Sequence, residues 1–274
     1  METVNPDIIS NLLKKTAQRF IIPRFKMLKD DEISTKTGPN DLVTQADIEA
    51  EEYLCERLPE ILPGSVVIGE EGVSSGKIIV SDIEKAAQDI WVVDPVDGTF
   101  NFVKGKEQFG IMLALIRNGE TVMGWIYNIL ADEMVFAEKG AGTVINGQAT
   151  FISSDALGSS PNGFINPRYF HHKQRAHIKG ISDQYDDCVS IGCAAHEYLN
   201  ILKNNVDFAL YARIKPWDHL PGALIVSEAG GYVAKWDKSP YEARDRGVGL
   251  IAARTQEAWE NTYRLFLAGI PNTD

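Results

Sequence analysis

The sequence predicts a mixed α/β chain with two sheets, the first antiparallel and the second alternating strand with helix. Three observations predict it. Apolar residues recur at helical spacing near the start of the chain. Residues 109–129 form two β-rich runs joined by Asn118-Gly119, a strong hairpin signal. From residue 162 onward, strand-like and helix-like runs alternate, as in an α/β sheet.

Taken in order, Ile8, Ile9, Leu12, Leu13, Phe20 and Ile21 mark a helix over 7–29, started by Asn5-Pro6-Asp7 and kinked or divided at Pro23. Residues 36–40, KTGPN, read as a loop. A second helix runs from Thr44 to Leu58, with Glu49, Glu51 and Glu52 expected outward. SVVIGEEG (65–72) and DIWVVDPVDG (89–98) read as short buried strands ending in acids. The hairpin follows, then Met134–Glu138 and Thr143–Ile145 in the same style. In the second half, strands are expected near 162–166, 187–191, 206–211, 231–235 and 248–253. Helices are expected near 168–179, 193–204, 218–229 and 255–268. No repeat or linker divides the chain, so residues 1–274 read as one compact unit. Its first half (about 1–150) carries the antiparallel sheet, and 151–274 the α/β part.

Composition narrows the function. The 274 residues are 44% hydrophobic and 24% charged, which is ordinary for a globular chain. The formal net charge of −11 argues against direct nucleic-acid binding, which needs a basic face. Cys55, Cys188 and Cys193 are scattered and odd in number, so neither a disulfide framework nor a zinc site is expected. METVNPDIIS has no basic segment followed by an apolar one, and no run approaches the roughly 18 apolar residues of a membrane span. A cytoplasmic protein without a membrane segment is the reading.

Acids gather at the ends of predicted elements: Asp41 and Asp47 in DLVTQAD, Glu70 and Glu71 in GEE, Asp94 and Asp97 in DPVDGT, and Asp218 in PWDH. Singly these are weak signals, since a D-x-x-D after a strand is usually a capped turn and a GEE a solvated strand end. Together they repel unless cations neutralise them. An oxygen-only set selects Mg²⁺, Mn²⁺ or Ca²⁺ over zinc. Pro95 fixes the turn, and Gly98 lets backbone approach a ligand. A helix starting at Gly98-Thr99 would present free N–H groups to an anion beside those cations, which is the equipment of phosphate chemistry.

The set D-x-V-T-x-x-D (41–47), G-E-E (69–71), D-P-V-D-G-T-x-N-F (94–102) and W-D (217–218), with EKGAGTVING (138–147) and SEAGG (227–231), resembles the inositol monophosphatase family in order and spacing over nearly the whole chain. The resemblance implies a layered α-β-α-β-α sandwich and a lithium-sensitive, Mg²⁺-dependent phosphomonoesterase. It implies two to three Mg²⁺ per site, with Mn²⁺ able to substitute. Glu70, Asp94 and the Val96 carbonyl would hold the first ion, and Asp94, Asp97 and Asp218 the second. Glu70 would also touch a third, whose water attacks. Asp47 and Thr99 would orient that water and take its proton, and the Gly98 and Thr99 amides would bind phosphate. Gly192, Cys193 and Ala194 would meet the alcohol portion of the substrate. A homodimer is expected from the same resemblance.

Two positions depart from the family pattern. Tyr211 stands seven residues before Asp218, where these enzymes commonly carry a glutamate that contacts inositol hydroxyls. A tyrosine cannot accept from two hydroxyls as a carboxylate can. With Arg213 and Lys215 nearby, this argues against inositol monophosphate as the best substrate and leaves open a more anionic or partly aromatic one, unless Tyr211 is simply packed. Leu220 and Pro221 replace small residues after W-D, with Pro221 expected in a first helical turn. His219 is expected to be a surface or core side chain and not a ligand. HHKQRAH (171–177) reads as a solvated helix face. Trp91 and Trp217 read as packing supports. A small phosphorylated polyol or sugar is the leading substrate. Histidinol phosphate, fructose 1,6-bisphosphate and adenosine 3′,5′-bisphosphate are rivals within the class. A regulatory binding role in RNA processing or transcription is the rival outside it.

Overall fold

The structure is a computed structural model that describes residues 3–36, 38, 41–78, 88–155, 158–245 and 247–270. Helix α1 (Pro6–Thr16) is capped by Asn5, whose side chain accepts the Asp7 N–H at 2.9 Å. The predicted long helix does not run on. It widens to a π turn over Ala17–Ile21, then tightens to a 3₁₀ turn over Ile22–Arg24 that holds Pro23. A two-stranded antiparallel ribbon not expected from the sequence follows, β1 (Ile33–Thr35) with β2 (Leu42–Thr44). Helix α2 (Gln45–Ile61) starts at a capping box: the Thr44 side chain accepts the Ala46 N–H, and the Asp47 carboxylate accepts the Thr44 N–H.

The first sheet has seven strands in simple sequence order: β3 (Val66–Gly69), β4 (Ile90–Asp97), β5 (Gly110–Arg117), β6 (Glu120–Asn128), β7 (Glu133–Glu138), β8 (Gly142–Ile145) and β9 (Gln148–Thr150). All pairs are antiparallel except β3 with β4, so the sheet is not purely antiparallel as expected. Asn118 and Gly119 both have positive φ, 53° and 80°, as a two-residue hairpin turn requires. Strand β5 is buried almost throughout because both faces are covered. Ile111, Leu113 and Leu115 pack with α1 and α2, while Met112 packs on the other side.

Two short helical elements correct the sequence reading, and a third, the helix after Gly98, matches it. Glu70 and Glu71 do not end the strand; they begin α3 (Glu70–Ser74). Past Gly98, whose φ is 88°, α4 spans Thr99–Val103. Pro167–Tyr169 is a 3₁₀ turn, and the helix expected near 168–179 is α5 (His172–Ser182), with His171 and His172 exposed.

The second sheet joins β10 (Gly163–Ile165), β11 (Cys188–Val189), β12 (Phe208–Arg213), β13 (Tyr232–Lys235) and β14 (Val248–Ala253), in the order β11-β10-β12-β14-β13. Its parallel and antiparallel pairs make it mixed. Helices α6 (Ala194–Leu202) and α7 (Pro216–Glu228) lie between the sheets, sharing a core with Met112, Ile126 and Val135 on one side and Phe164, Ala209 and Ala252 on the other. Ile178 of α5 and Trp259 of α8 (Gln256–Thr262) pack with Phe208, Leu210 and Ile251 on the outer face. The layers are therefore α-β-α-β-α. Because α7 begins at Pro216, Pro221 falls in its second turn and not its first, where it removes an interior N–H. His219 is a core residue: its Nδ1 accepts the Tyr198 hydroxyl at 3.1 Å, and its Nε2–H donates to the Arg213 carbonyl at 2.9 Å. Trp91 and Trp217 are buried, as packing supports should be. None of the described helices is long and apolar enough to cross a membrane.

Candidate active site

The site lies where β4 stops pairing normally. Asp94 stands opposite Met112, but Asp97 stands opposite Gly110, so one extra residue bulges from the strand at Pro95-Val96. Pro95 has no N–H to lose from the ladder. The bulge turns the strand end toward the N-termini of α3 and α7. One carboxylate oxygen from each of Glu70, Asp94 and Asp218 lies within 4.8 Å of the others. These acids sit on β4 and in the first turns of α3 and α7, where free helix N–H groups favour negative charge.

Electrostatics inside the cluster are severe. Burial, then Glu70, Asp97 and Asp218, push the Asp94 carboxyl well above the usual range. Burial raises Asp218 to about 8, against the pull of Lys215. Glu70 goes the other way: burial would raise it, but Lys215 and Lys36 outweigh that and hold it low. The two ammonium groups lie 3.1 Å and 3.2 Å from Glu70 Oε1, and Lys36 also reaches Glu71 at 2.6 Å. In the sequence, Lys36 read only as the start of a loop and Lys215 as a nearby charge.

Asp97 stands beside this trio and acts on it through its charge. Its Oδ2 accepts the Ala195 N–H at 2.7 Å and the Cys193 thiol at 2.9 Å, and the Ala194 N–H also bears on the carboxylate. Asp94 Oδ1 accepts the Val96 N–H at 3.1 Å. The Thr99 hydroxyl lies 2.9 Å from Asp47 Oδ1 and 3.0 Å from the Val96 carbonyl, so its one proton can serve either. Asp47 also accepts from the Thr44 hydroxyl and N–H. Burial pushes it up to about 6 against those three donors.

The residues expected to meet the alcohol portion approach from α6. Asn101 donates to the Ile191 carbonyl at 2.8 Å and to the Gln108 carbonyl at 2.9 Å, tying α4 to the segment 191–194. Gly192 has a φ of 67°, and the Cys193 thiol is buried against Asp97. Ala194 opens α6. Tyr211 does not point outward with its hydroxyl. That atom is buried without a well-formed hydrogen bond, and after burial the nearby Glu197 carboxyl does most to raise its pKa. The Tyr211 ring lies 4.4 Å from His219 and 5.5 Å from Tyr198, centre to centre. Glu197, raised to about 8 by burial, is a second acid of this corner that the sequence reading missed. It lies one helical turn beyond Cys193, and that spacing is the signal that would have found it. The exposed rim is Tyr169, with the Arg213 guanidinium 5.6 Å from its ring centre.

The set fits a hard divalent cation. Its donors are all oxygen, and among the described residues the positive groups that bear on Asp94 and Asp218 are Lys36 and Lys215 at the cluster's edge. Acids this deeply buried and mutually repelling are held for a cation. A cation held there would adjoin the free amides at the start of α4, an arrangement suited to phosphate chemistry.

Comparison with known proteins shows a phosphatase, a phosphoric monoester hydrolase. The chain belongs to the inositol monophosphatase family, whose model matches residues 7–267. It is 31% identical to a fructose-1,6-bisphosphatase/inositol-1-monophosphatase of Thermotoga maritima over 83% of each chain. It is 31% identical to the Nus factor SuhB of Vibrio cholerae, over 73% of this chain and 74% of that one. A solved Thermotoga maritima inositol monophosphatase superposes with a TM-score of 0.81 at 26% identity, covering 97% of this chain and 99% of that one. The family is Mg²⁺-dependent.

Proposed function

We propose that the chain hydrolyses the phosphate monoester of a small polyol or sugar with two to three Mg²⁺ ions. Glu70, Asp94, Asp97, Asp218 and the Val96 carbonyl would hold the cations. When bound, Mg²⁺ supplies Lewis acidity: it makes a water a better nucleophile and takes up charge on the leaving oxygen. The observation that carries this reading is the convergence of Glu70, Asp94 and Asp218 on one point beside the α4 start.

The chain's own residues do the rest. Thr99 orients the attacking water and takes its proton as the Thr99 hydroxyl proton passes to Asp47, whose carboxyl burial raises to about 6. The Gly98 and Thr99 amides, left free at the start of α4, bind the phosphate oxygens. Lys36 and Lys215 hold Glu70 ionised and keep a positive field over an anionic substrate. The alcohol portion lies between 192–194 and the Tyr169–Arg213 rim. With Tyr211 turned inward, selectivity comes from that rim, which favours a substrate carrying further negative charge. Fructose 1,6-bisphosphate, named for one relative, is the first such substrate to try. We place the protein in the cytoplasm, as a homodimer.

The test is a phosphate-release panel with Mg²⁺, each arm with and without Li⁺. It covers inositol 1-phosphate, histidinol phosphate, fructose 1,6-bisphosphate and adenosine 3′,5′-bisphosphate. Li⁺-sensitive release from at least one supports the reading, and release from none overturns it. A second reading, a binding role in RNA processing or transcription, is favoured by the SuhB relative. A partner captured equally well by Asp94→Asn would support that role.

A further inference from the structure

Glu51 is expected from the sequence to face solvent, yet it is 5% exposed. It lies one turn after Asp47 on the same face of α2. Its carboxylate accepts the Glu71 N–H at 2.8 Å and the Gly72 N–H at 2.6 Å. Those are free first-turn amides of α3, and the residue in the cap position, Gly69, has no side chain to satisfy them. The cap is therefore delivered by another helix. Gly69 is shaped to admit it: a Cβ there would fall 2.1 Å from the Glu51 carboxyl carbon.

From this geometry we infer that Glu51 is a positioning residue for the metal site, fixing the first turn of α3 so that Glu70 meets Asp94 and Asp218. The inference rests on the reading of Glu70 as a cation ligand. Glu51 touches neither cation nor substrate. It holds the backbone of the two residues after Glu70, and α2 is the helix whose N-terminus carries Asp47. One helix thus sets both the proton acceptor and the Glu70 turn. A glutamine cannot replace it, since only one of its two terminal atoms accepts, and the other would meet an N–H with an N–H.

The test is Mn²⁺ binding followed by electron paramagnetic resonance, with thermal unfolding and Mg²⁺-dependent turnover measured alongside. In Glu51→Gln, Mn²⁺ affinity of the folded protein should fall about 10–100-fold, the range for groups that orient metal ligands. Turnover at saturating Mg²⁺ should be little changed, because the reacting groups are intact. Gly69→Ala, which displaces the same carboxylate without changing its chemistry, should weaken Mn²⁺ binding in the same way. In the wild type, the Glu71 and Gly72 amides should exchange slowly with solvent deuterium; fast exchange overturns the inference with no variant needed. Wild-type affinity in Glu51→Gln overturns it alone. A wild type that binds no Mn²⁺ overturns the reading of Glu70 as well.

Discussion

Asp97 Oδ2 accepts the Ala195 N–H at 2.7 Å, joining the end of β4 to the start of α6 across 98 residues of chain. The bond separates two roles of one carboxylate. Asp97→Ala leaves a buried N–H unpaired, which costs about 1–3 kcal/mol. Asp97→Asn keeps an acceptor for that N–H but removes the charge facing the cations. Both variants should lose Mg²⁺-dependent phosphate release, and only Asp97→Ala should lose thermal stability by that amount in EDTA. Equal destabilisation of the two would show that the carboxylate charge, and not the acceptor, holds α6.

Asp94 is the most crowded acid of the cluster, facing Glu70, Asp97 and Asp218. Asp94→Asn should therefore leave the metal-free protein as stable as the wild type or more so, since it removes repulsion without changing shape. If it binds the folded state alone, Mg²⁺ should stabilise the wild type by about 2.7 kcal/mol at a hundredfold excess over Kd. The variant should show little of that shift and little turnover. Scanning fluorimetry with and without Mg²⁺, beside a phosphate assay, reads both. Near-normal turnover in Asp94→Asn would sink the bridging role.

On the proposed mechanism, Asp47 should set the acid limb of activity. It must be ionised to take the Thr99 proton, and burial raises it to about 6 despite three hydrogen bonds from Thr44 and Thr99. A raised carboxyl protonates as pH falls through that value, so kcat/KM should drop below about pH 6 with a slope of one proton. Asp47→Asn should flatten the limb at a low rate. A profile level down to pH 5 in the wild type would remove Asp47 as the acceptor.

Much of this site is legible in the sequence because its ligands cluster in short motifs at predicted element ends. DPVDGT carries a proline, a glycine and two acids within six residues, and that pattern specifies the bulge and the helix start together. What escapes is contact between distant segments. Glu51 has the spacing of a solvated glutamate; its burial depends on amides twenty and twenty-one residues away. The five residues of α3 are too few for a helical period, so Glu70 and Glu71 read as a strand end. Lys36 follows the first strand of a ribbon whose strands are too short to alternate visibly. Tyr211 is found as a departure from the family, but the direction of its hydroxyl depends on Glu197 and His219, which come from two other elements.

Gly98 and Gly192 offer a controlled comparison, since both have positive φ, 88° and 67°, and both border the proposed substrate position. At Gly98 an added Cβ would stand 2.7 Å from the Gln108 carbonyl oxygen and 3.1 Å from Cys193 Cβ. Neither neighbour can retreat: one is backbone, and the other is packed against Asp97. At Gly192 the added atom would meet nothing within 4 Å. Gly192→Ala should therefore cost only the left-handed backbone strain, about 1–2 kcal/mol. Gly98→Ala adds overpacking of about 1–3 kcal/mol to the same strain. It should also displace the Gly98 and Thr99 amides, so turnover falls beyond what the lost stability explains. Denaturant unfolding of both variants, with phosphate release measured well below the melting temperature, checks the order. Equal stability of the two would show that the turn at Gly98 relaxes and that its close approach to Gln108 is not fixed by the fold.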